Sequence, residues 1–256
     1  IAWSNSDLPE LGGDTSLETC LRESCEAGFT GTETGIKYPM DPQVLVPMLK
    51  THSLQLASGW FSGTLRECSV DQEFQNLQDM LKTFKALKAP VLVYAETSGS
   101  VQSQKNVPVS QRPVMPDSEF PEYGRKLTEV AQRMADYGVR MVYHHHMGTV
   151  IETEREVDLL MEHTGTSVGL LIDTGHLTFA GANVEETTRR HGSRIEHVHC
   201  KDIRREVFER VKAEDMSFLD AVLEGVFTVP GDGFIDFGSF VQVLAEIGYS
   251  GWIVVE

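Results

Sequence analysis

GLLIDTGH, residues 169–176, decides how this chain is read. Its apolar start has the length of a strand buried on both faces, although periodicity alone leaves a buried helix open. Asp173 and His176 follow where such a strand would stop and the chain would turn at Gly175. A carboxylate and an imidazole in that place are poor core residues and good metal ligands. Three other stretches share the pattern: MVYHHH at 141–146, IEHVHCKD at 195–202 and WIVVE at 252–256. Each runs from apolar residues into imidazoles or a carboxylate, so the chain reads as a scaffold that gathers four strand ends.

A length of 256 residues suits one α/β barrel, which takes about 250. Hydrophobic residues at 41% and charged residues at 23% fit a soluble globular protein. The net charge of −16 argues against a phosphate backbone as partner, so no nucleic acid is expected. No apolar run approaches the roughly 18 residues of a membrane helix and no signal peptide is visible, so no membrane partner is expected. Cysteines 20, 25, 68 and 200 form no CxxC pair, which fits free thiols in a reducing cytoplasm.

Strand-like segments fall at 1–3, 31–34, 54–57, 91–94, 141–143, 169–173, 196–199 and 252–256. Helical patterns alternate with them, the clearest being Phe74, Leu77, Leu81, Phe84 and Leu87 at spacings of three and four. Residues 58–64 read as a Ser-Gly-rich turn, and 204–223 as one charged helical stretch. Residues 96–121, rich in Ser, Gln and Pro, read as a lid over the mouth of the site. Eight alternations predict a parallel sheet closed into a (β/α)8 TIM barrel, with 1–256 as a single domain. An open doubly wound sheet is the rival, but no GxGxxG follows a first strand. The scant lead-in to the first strand, and the lack of a helix after the last, read as trimming at both ends.

In such a barrel the C-terminal strand ends converge on one mouth, which makes neighbours of Asp173, His199 and Glu256. His144, His146 and His176 should lie close by, and Glu152 is the best candidate for a further carboxylate. Two or three carboxylates with one imidazole suit Mn²⁺, Co²⁺ or Mg²⁺ better than a structural zinc. Plainer readings stand beside these. Asp173 could simply cap the next turn, and Glu152 could only complement a helix dipole. His145 points away from its two neighbours and could be a polar loop residue. One of His197 and His199 is expected to face the interior and the other the helices, with His199 the ligand. Lys201 and Asp202 could be a surface pair, and Cys200 packs rather than ligates.

These residues resemble the xylose-isomerase-like TIM barrels and, among them, the inosose dehydratases of bacterial inositol catabolism. The resemblance rests on GTETGIKYP (31–39), LASGWFSG (56–63), YHHHMGTVIE (143–152), LIDTGHLTFAG (171–181), HVHCKD (197–202), PGDGFIDF (230–237) and GYSGWIVVE (248–256). It implies loss of water from 2-keto-myo-inositol (scyllo-inosose), a cyclic polyol ketone, to give a trihydroxycyclohexane-1,2-dione, with Mn²⁺ or Co²⁺ as cofactor. It places the metal on Glu152, Asp173, His199 and Glu256. Such a reaction needs a base beside the carbonyl and an acid for the leaving hydroxyl. Glu152 or His176 is expected as the base, with His144 or His146 serving the leaving group. Lys201 is expected to hold a substrate hydroxyl, and Glu33, Trp60 and His176 to line the pocket.

A metal-dependent ketose 3-epimerase or isomerase of the same fold is the alternative, since it would share the metal and the proton abstraction. An endonuclease should carry a basic groove and more ligands, and the net charge of −16 counts against it; an amidohydrolase should carry an HxH on its first strand, which has no histidine here. A non-catalytic sugar-binding protein would not need the metal ligands. A homo-oligomer is compatible with all of these readings.

Overall fold

In the computed structural model, which describes residues 3–256, the segments that are apolar throughout become the central strands. Seven parallel strands form one sheet in the order β1 (Gly31–Thr34), β2 (Gln55–Gly63), β3 (Val91–Glu96), β4 (Arg140–His144), β5 (Val168–Asp173), β6 (Ile195–Cys200) and β9 (Ile253–Val255). β3 and β5 are buried at every position, as strands covered on both faces must be. Between β6 and β9 the chain makes a small antiparallel pair, β7 (Asp202–Ile203) with β8 (Phe227–Thr228). The expected strand at 1–3 falls largely outside the described residues. Among the described residues β1 and β9 are not paired with each other. Trp252 packs at this seam: a Cβ on Gly31 would come within 2.7 Å of its ring.

The helices are α1 (Leu17–Glu26), α2 (Pro42–Thr51), α3 (Val70–Leu87), α4 (Phe120–Tyr137), α5 (Glu154–His163), α6 (Thr174–Phe179), α7 (Val184–Arg190), α8 (Arg205–Ala213), α9 (Phe218–Leu223) and α10 (Phe237–Glu246). Local chemistry starts them. Ser16, Asp41, Ser69, Asn183 and Asp236 each cap with a side-chain oxygen, and Thr153 and Glu156 form a capping box. On α3, Leu77, Leu81 and Phe84 of the predicted stripe are buried.

Three sequence expectations are corrected. Residues 58–63 are not a turn; β2 runs through them. Their glycines serve close packing, because a Cβ on Gly59 would lie 1.9 Å from Thr34 Oγ1 and one on Gly63 would lie 2.0 Å from the Tyr94 ring. Gly63→Ala is therefore expected to lower stability by about 1–3 kcal/mol, read as a lower urea midpoint at unchanged slope. Second, the stretch 204–223 breaks into α8 and α9 where Asp215 takes a left-handed φ of 47° and Ser217 caps the next helix. Third, a short helix, α6, starts directly at Asp173, too soon for periodicity to show it.

The segment from 97 to 119 is strapped down rather than loose. Val101 N–H donates to Gly148 O (2.9 Å), Val109 N–H donates to Met216 O (3.2 Å), and Arg112 donates to Thr149 O (3.1 Å) and Glu156 (2.7 Å). It thus joins the β4–α5 loop to the start of α9. Val109 also enters an apolar cluster with Leu8, Met147, Phe179, Ile203 and Phe218.

Candidate active site

Parallel register brings the polar strand ends together. Asp173 on β5 stands beside His199 on β6, and Glu256 follows β9 directly, its N–H donating to Cys200 O (3.2 Å). Asp173 does two jobs. Its Oδ1 accepts from His176 N–H (2.9 Å) as the cap of α6, while Oδ2 faces His144 Nε2 (3.6 Å), His199 Nδ1 (3.7 Å) and His176 Nε2 (4.0 Å). The cap reading and the ligand reading of this residue are compatible, because they use different oxygens. One donor atom each from His144, Asp173 and His199 lie within 4.8 Å of one another, as do those of Glu33, His197 and His199. His199 Nδ1 also lies 2.9 Å from Glu256 Oε2.

The donor set fits a divalent cation. His144 Nδ1 lies 2.5 Å from His145 O, and only an N–H can serve a carbonyl, so its Nε2 turns a lone pair toward Asp173. His199 Nδ1 finds no hydrogen-bond partner although two carboxylates face it. Burial would pull the His199 imidazole down, but Glu256 and Glu33 hold it well above its ordinary range. Burial would likewise raise Asp173, yet Lys201 and the imidazoles hold it well below. Converging lone pairs and carboxylates, nearly closed to water, are what a hard or borderline cation requires.

A pair of imidazoles stands beside this cluster. The rings of His146 and His176 have centroids 4.0 Å apart, and each neighbours His144, at 5.4 and 5.3 Å. One backbone unit sets both tautomers: Met147 N–H donates to His176 Nδ1 (3.3 Å), while Met147 O accepts from His146 Nδ1 (2.8 Å). His146 Nε2 is thereby a bare acceptor and His176 Nε2 carries a proton. Burial keeps both neutral: it pushes His146 down to about 3 and His176 well below its usual range. Trp60 packs against His144 and His146 (5.5 and 5.4 Å), and Phe218 against His146 and His176 (5.0 and 5.7 Å).

Several expected residues sit elsewhere than the sequence suggests. Neither Glu152 nor Glu256 belongs to the two metal-competent groups, but Glu256 lies beside His199 Nδ1 at 2.9 Å whereas Glu152 faces its own loop. The Glu152 carboxylate accepts from Gly148 N–H (2.8 Å) and lies 3.4 Å from Arg112 Nε, which ties it to that loop. Burial pushes it up to about 7. Because its folded value is raised, its stability contribution is present below the unfolded value and is lost as pH rises through about 7. Glu152→Gln should thus gain on wild type by on the order of 2 kcal/mol between about pH 5 and about pH 8, read by urea unfolding. An unchanged difference would show that burial does not disfavour the charge.

His197 and His199 do not face opposite sides. Two residues apart on a strand they share a face, and both reach Glu33 Oε1, at 2.7 and 3.1 Å. Lys201 and Asp202 are no surface pair; both are buried. Lys201 Nζ donates to the Asp173 and Glu256 carboxylates. Asp202 accepts the N–H groups of Ile203, Gly231, Gly233 and Ile235 at 2.8–3.0 Å, which locks the turn at 230–233. His145 is a buried strand-end partner, its Nε2 accepting from Asp173 N–H (3.3 Å). Cys200 packs in the core, its thiol pushed up to about 12 by burial. Sequence reading missed Phe218 and Met147, since nothing local marks an apolar residue that meets an imidazole from another element.

Comparison with known proteins places the fold and the family. A family model described as Xylose isomerase-like TIM barrel matches residues 21–256. The chain is 50% identical, over its full length and 79% of the relative, to the rhizopine catabolism protein MocC of Rhizobium meliloti. It is 43% identical, again over its full length and 87% of the relative, to an inosose dehydratase of Geobacillus thermodenitrificans. A solved IOLI protein with a bound zinc atom superposes with a TM-score of 0.69 at 20% identity, covering 94% of this chain and 84% of that one, which shows the shared fold. The chain belongs to the xylose isomerase-like TIM barrel family, alongside the inosose dehydratases.

Proposed function

We propose that this protein is a metal-dependent dehydratase that removes water from 2-keto-myo-inositol to give a trihydroxycyclohexane-1,2-dione. The observation that carries the reading is the oppositely set imidazole pair, His146 and His176, beside the Asp173–His199–Glu256 cluster. The reading gains support from the 43% identity, over the whole of this chain and 87% of the relative, to an inosose dehydratase. Asp173, His199 and Glu256 would hold the cation, with His144 Nε2 in the place expected of Glu152. Mn²⁺ or Co²⁺ suits that mixed oxygen and nitrogen set, and when bound it supplies Lewis acidity toward a ketone and its neighbouring hydroxyl.

The side chains supply the proton traffic. His146 Nε2, a bare acceptor, takes the acidified proton next to the carbonyl. The electron pair of that C–H bond becomes the new C=C bond and the β C–O bond breaks. His176 Nε2–H gives its proton to the departing hydroxyl as the proton taken by His146 passes on to His176, so that water leaves and no imidazolate remains, and the resulting enol tautomerises to the dione. That transfer resets the pair. Lys201, next to both carboxylates, is placed to hold a substrate hydroxyl, and Trp60 and Phe218 offer apolar walls to the ring's C–H faces.

Incubation of metal-loaded protein with 2-keto-myo-inositol, followed by ultraviolet absorbance, tests the assignment. An enolised dione should appear, and a chelated control should show none. Metal bound at one equivalent with no dione, but with epimerised free ketoses, would move the assignment to the epimerase chemistry of the same fold.

A further inference from the structure

Glu33 was expected to line the polyol pocket, yet its Oε1 is fully engaged within the protein. It accepts from His197 Nε2 (2.7 Å), His199 Nε2 (3.1 Å) and the Ser58 hydroxyl. Ser58 is the ladder neighbour of Glu33 on β2, whereas the two imidazoles come from β6, which is not paired with β1, so the carboxylate links β1 across the interior to β6. From these contacts we infer that Glu33, held in place by His197 and Ser58, is a positioning residue that sets which nitrogen of His199 faces the metal.

The argument is one of hydrogen-bond valence. A cation can bind only the neutral imidazole and so displaces the second proton that Glu256 and Glu33 favour on His199; a neutral ring that donates from Nε2 to a carboxylate must present its lone pair at Nδ1. His199 Nδ1 is the nitrogen that faces Asp173 and Glu256. A carboxylate behind a metal-bound histidine fixes the ring and raises its basicity, and loss of such a partner typically weakens metal binding by about 10–100-fold. Glu33 acts through His199, so it governs metal affinity rather than substrate contact. His197 contributes by pinning Glu33; its own Nδ1 has no partner, which leaves it no second task in the described contacts.

The inference rests on the metal site proposed above, and the test separates the two. Zn²⁺ titration of the full chain by calorimetry, with long-range ¹H–¹⁵N spectra of ¹⁵N-histidine-labelled protein, reads site and tautomer together. The His199 resonances are assigned by their loss in His199→Asn. In the Zn²⁺-loaded wild type, His199 should carry its proton on Nε2 and bind through Nδ1. Glu33→Gln should weaken Zn²⁺ binding by about 10–100-fold and leave KM for 2-keto-myo-inositol unchanged at saturating metal. Zn²⁺ bound through Nε2 of His199 overturns this inference alone, and that arm needs no folded Glu33 variant. Unchanged Zn²⁺ affinity with a raised KM in Glu33→Gln also overturns it, by returning Glu33 to the substrate. Failure of the wild type to bind Zn²⁺ overturns the metal site and this inference together.

Discussion

Asp173→Asn should leave a folded protein that retains no metal and turns over at least about 10³-fold more slowly, equivalent to roughly 4 kcal/mol of transition-state stabilisation. The amide keeps an oxygen for the α6 cap, where Asp173 Oδ1 accepts from His176 N–H. What it loses is the charge of Oδ2, the oxygen faced by His144, His199 and Lys201. Glu256→Gln should act in the same direction, since Glu256 faces the same His199 Nδ1 and shares Lys201. Glu152→Gln is the contrast, because that carboxylate is bound to Gly148 N–H and Arg112 and should leave metal content intact. Metal content by elemental analysis, measured alongside kcat, separates the three. Full activity of either Asp173→Asn or Glu256→Gln with metal supplied would remove that residue from the ligand set. Loss of metal in Glu152→Gln would restore the ligand set implied by the family resemblance.

His146→Ala and His176→Ala should each lower kcat by about 10²–10⁴ while bound metal stays at one equivalent. Neither ring is in the Asp173–His199 group that holds the metal-competent donors. Their tautomers are opposed because Met147 uses both its N–H and its C=O on them, so acceptor and donor lie side by side. Two groups that act in one proton sequence do not contribute additively. The double variant should accordingly be little slower than the slower single. Full additivity of the two losses would separate their roles and dismiss the paired mechanism. The same measurement in His144→Ala should show loss of metal, since its Nε2 faces Asp173 at 3.6 Å.

Much of this was legible in the chain. Short apolar runs that end in Asp173 and His199 declare buried parallel strands, and the run before Glu256 declares a parallel strand whose side chains stay partly exposed. Convergence of strand ends in a barrel makes those residues neighbours whatever their separation. The lone histidine–carboxylate stretches were readable for a further reason: a charge or imidazole closing an apolar strand has no packing role of its own. The glycines of β2 were misread because a Ser-Gly run looks the same whether it makes a turn or clears space for Thr34 and Tyr94. The contacts of Glu152 could not be read, because its partners, Arg112 and Gly148, stand on a strap and a loop whose path no local pattern records.

The sequence by itself determined the strand order of the site, its residue types and the negative net charge of the chain. Tertiary structure alone decided that His144 Nε2 faces Asp173, that His197 and His199 share Glu33, and which nitrogen each of these rings turns to its partner. The reason is physical. Side-chain alternation and strand-end convergence follow from backbone geometry, which repeats along the chain and can be counted. An imidazole's tautomer follows from whichever donor or acceptor reaches it, and here those partners are Glu33 on β1 and the backbone of His145 and Met147.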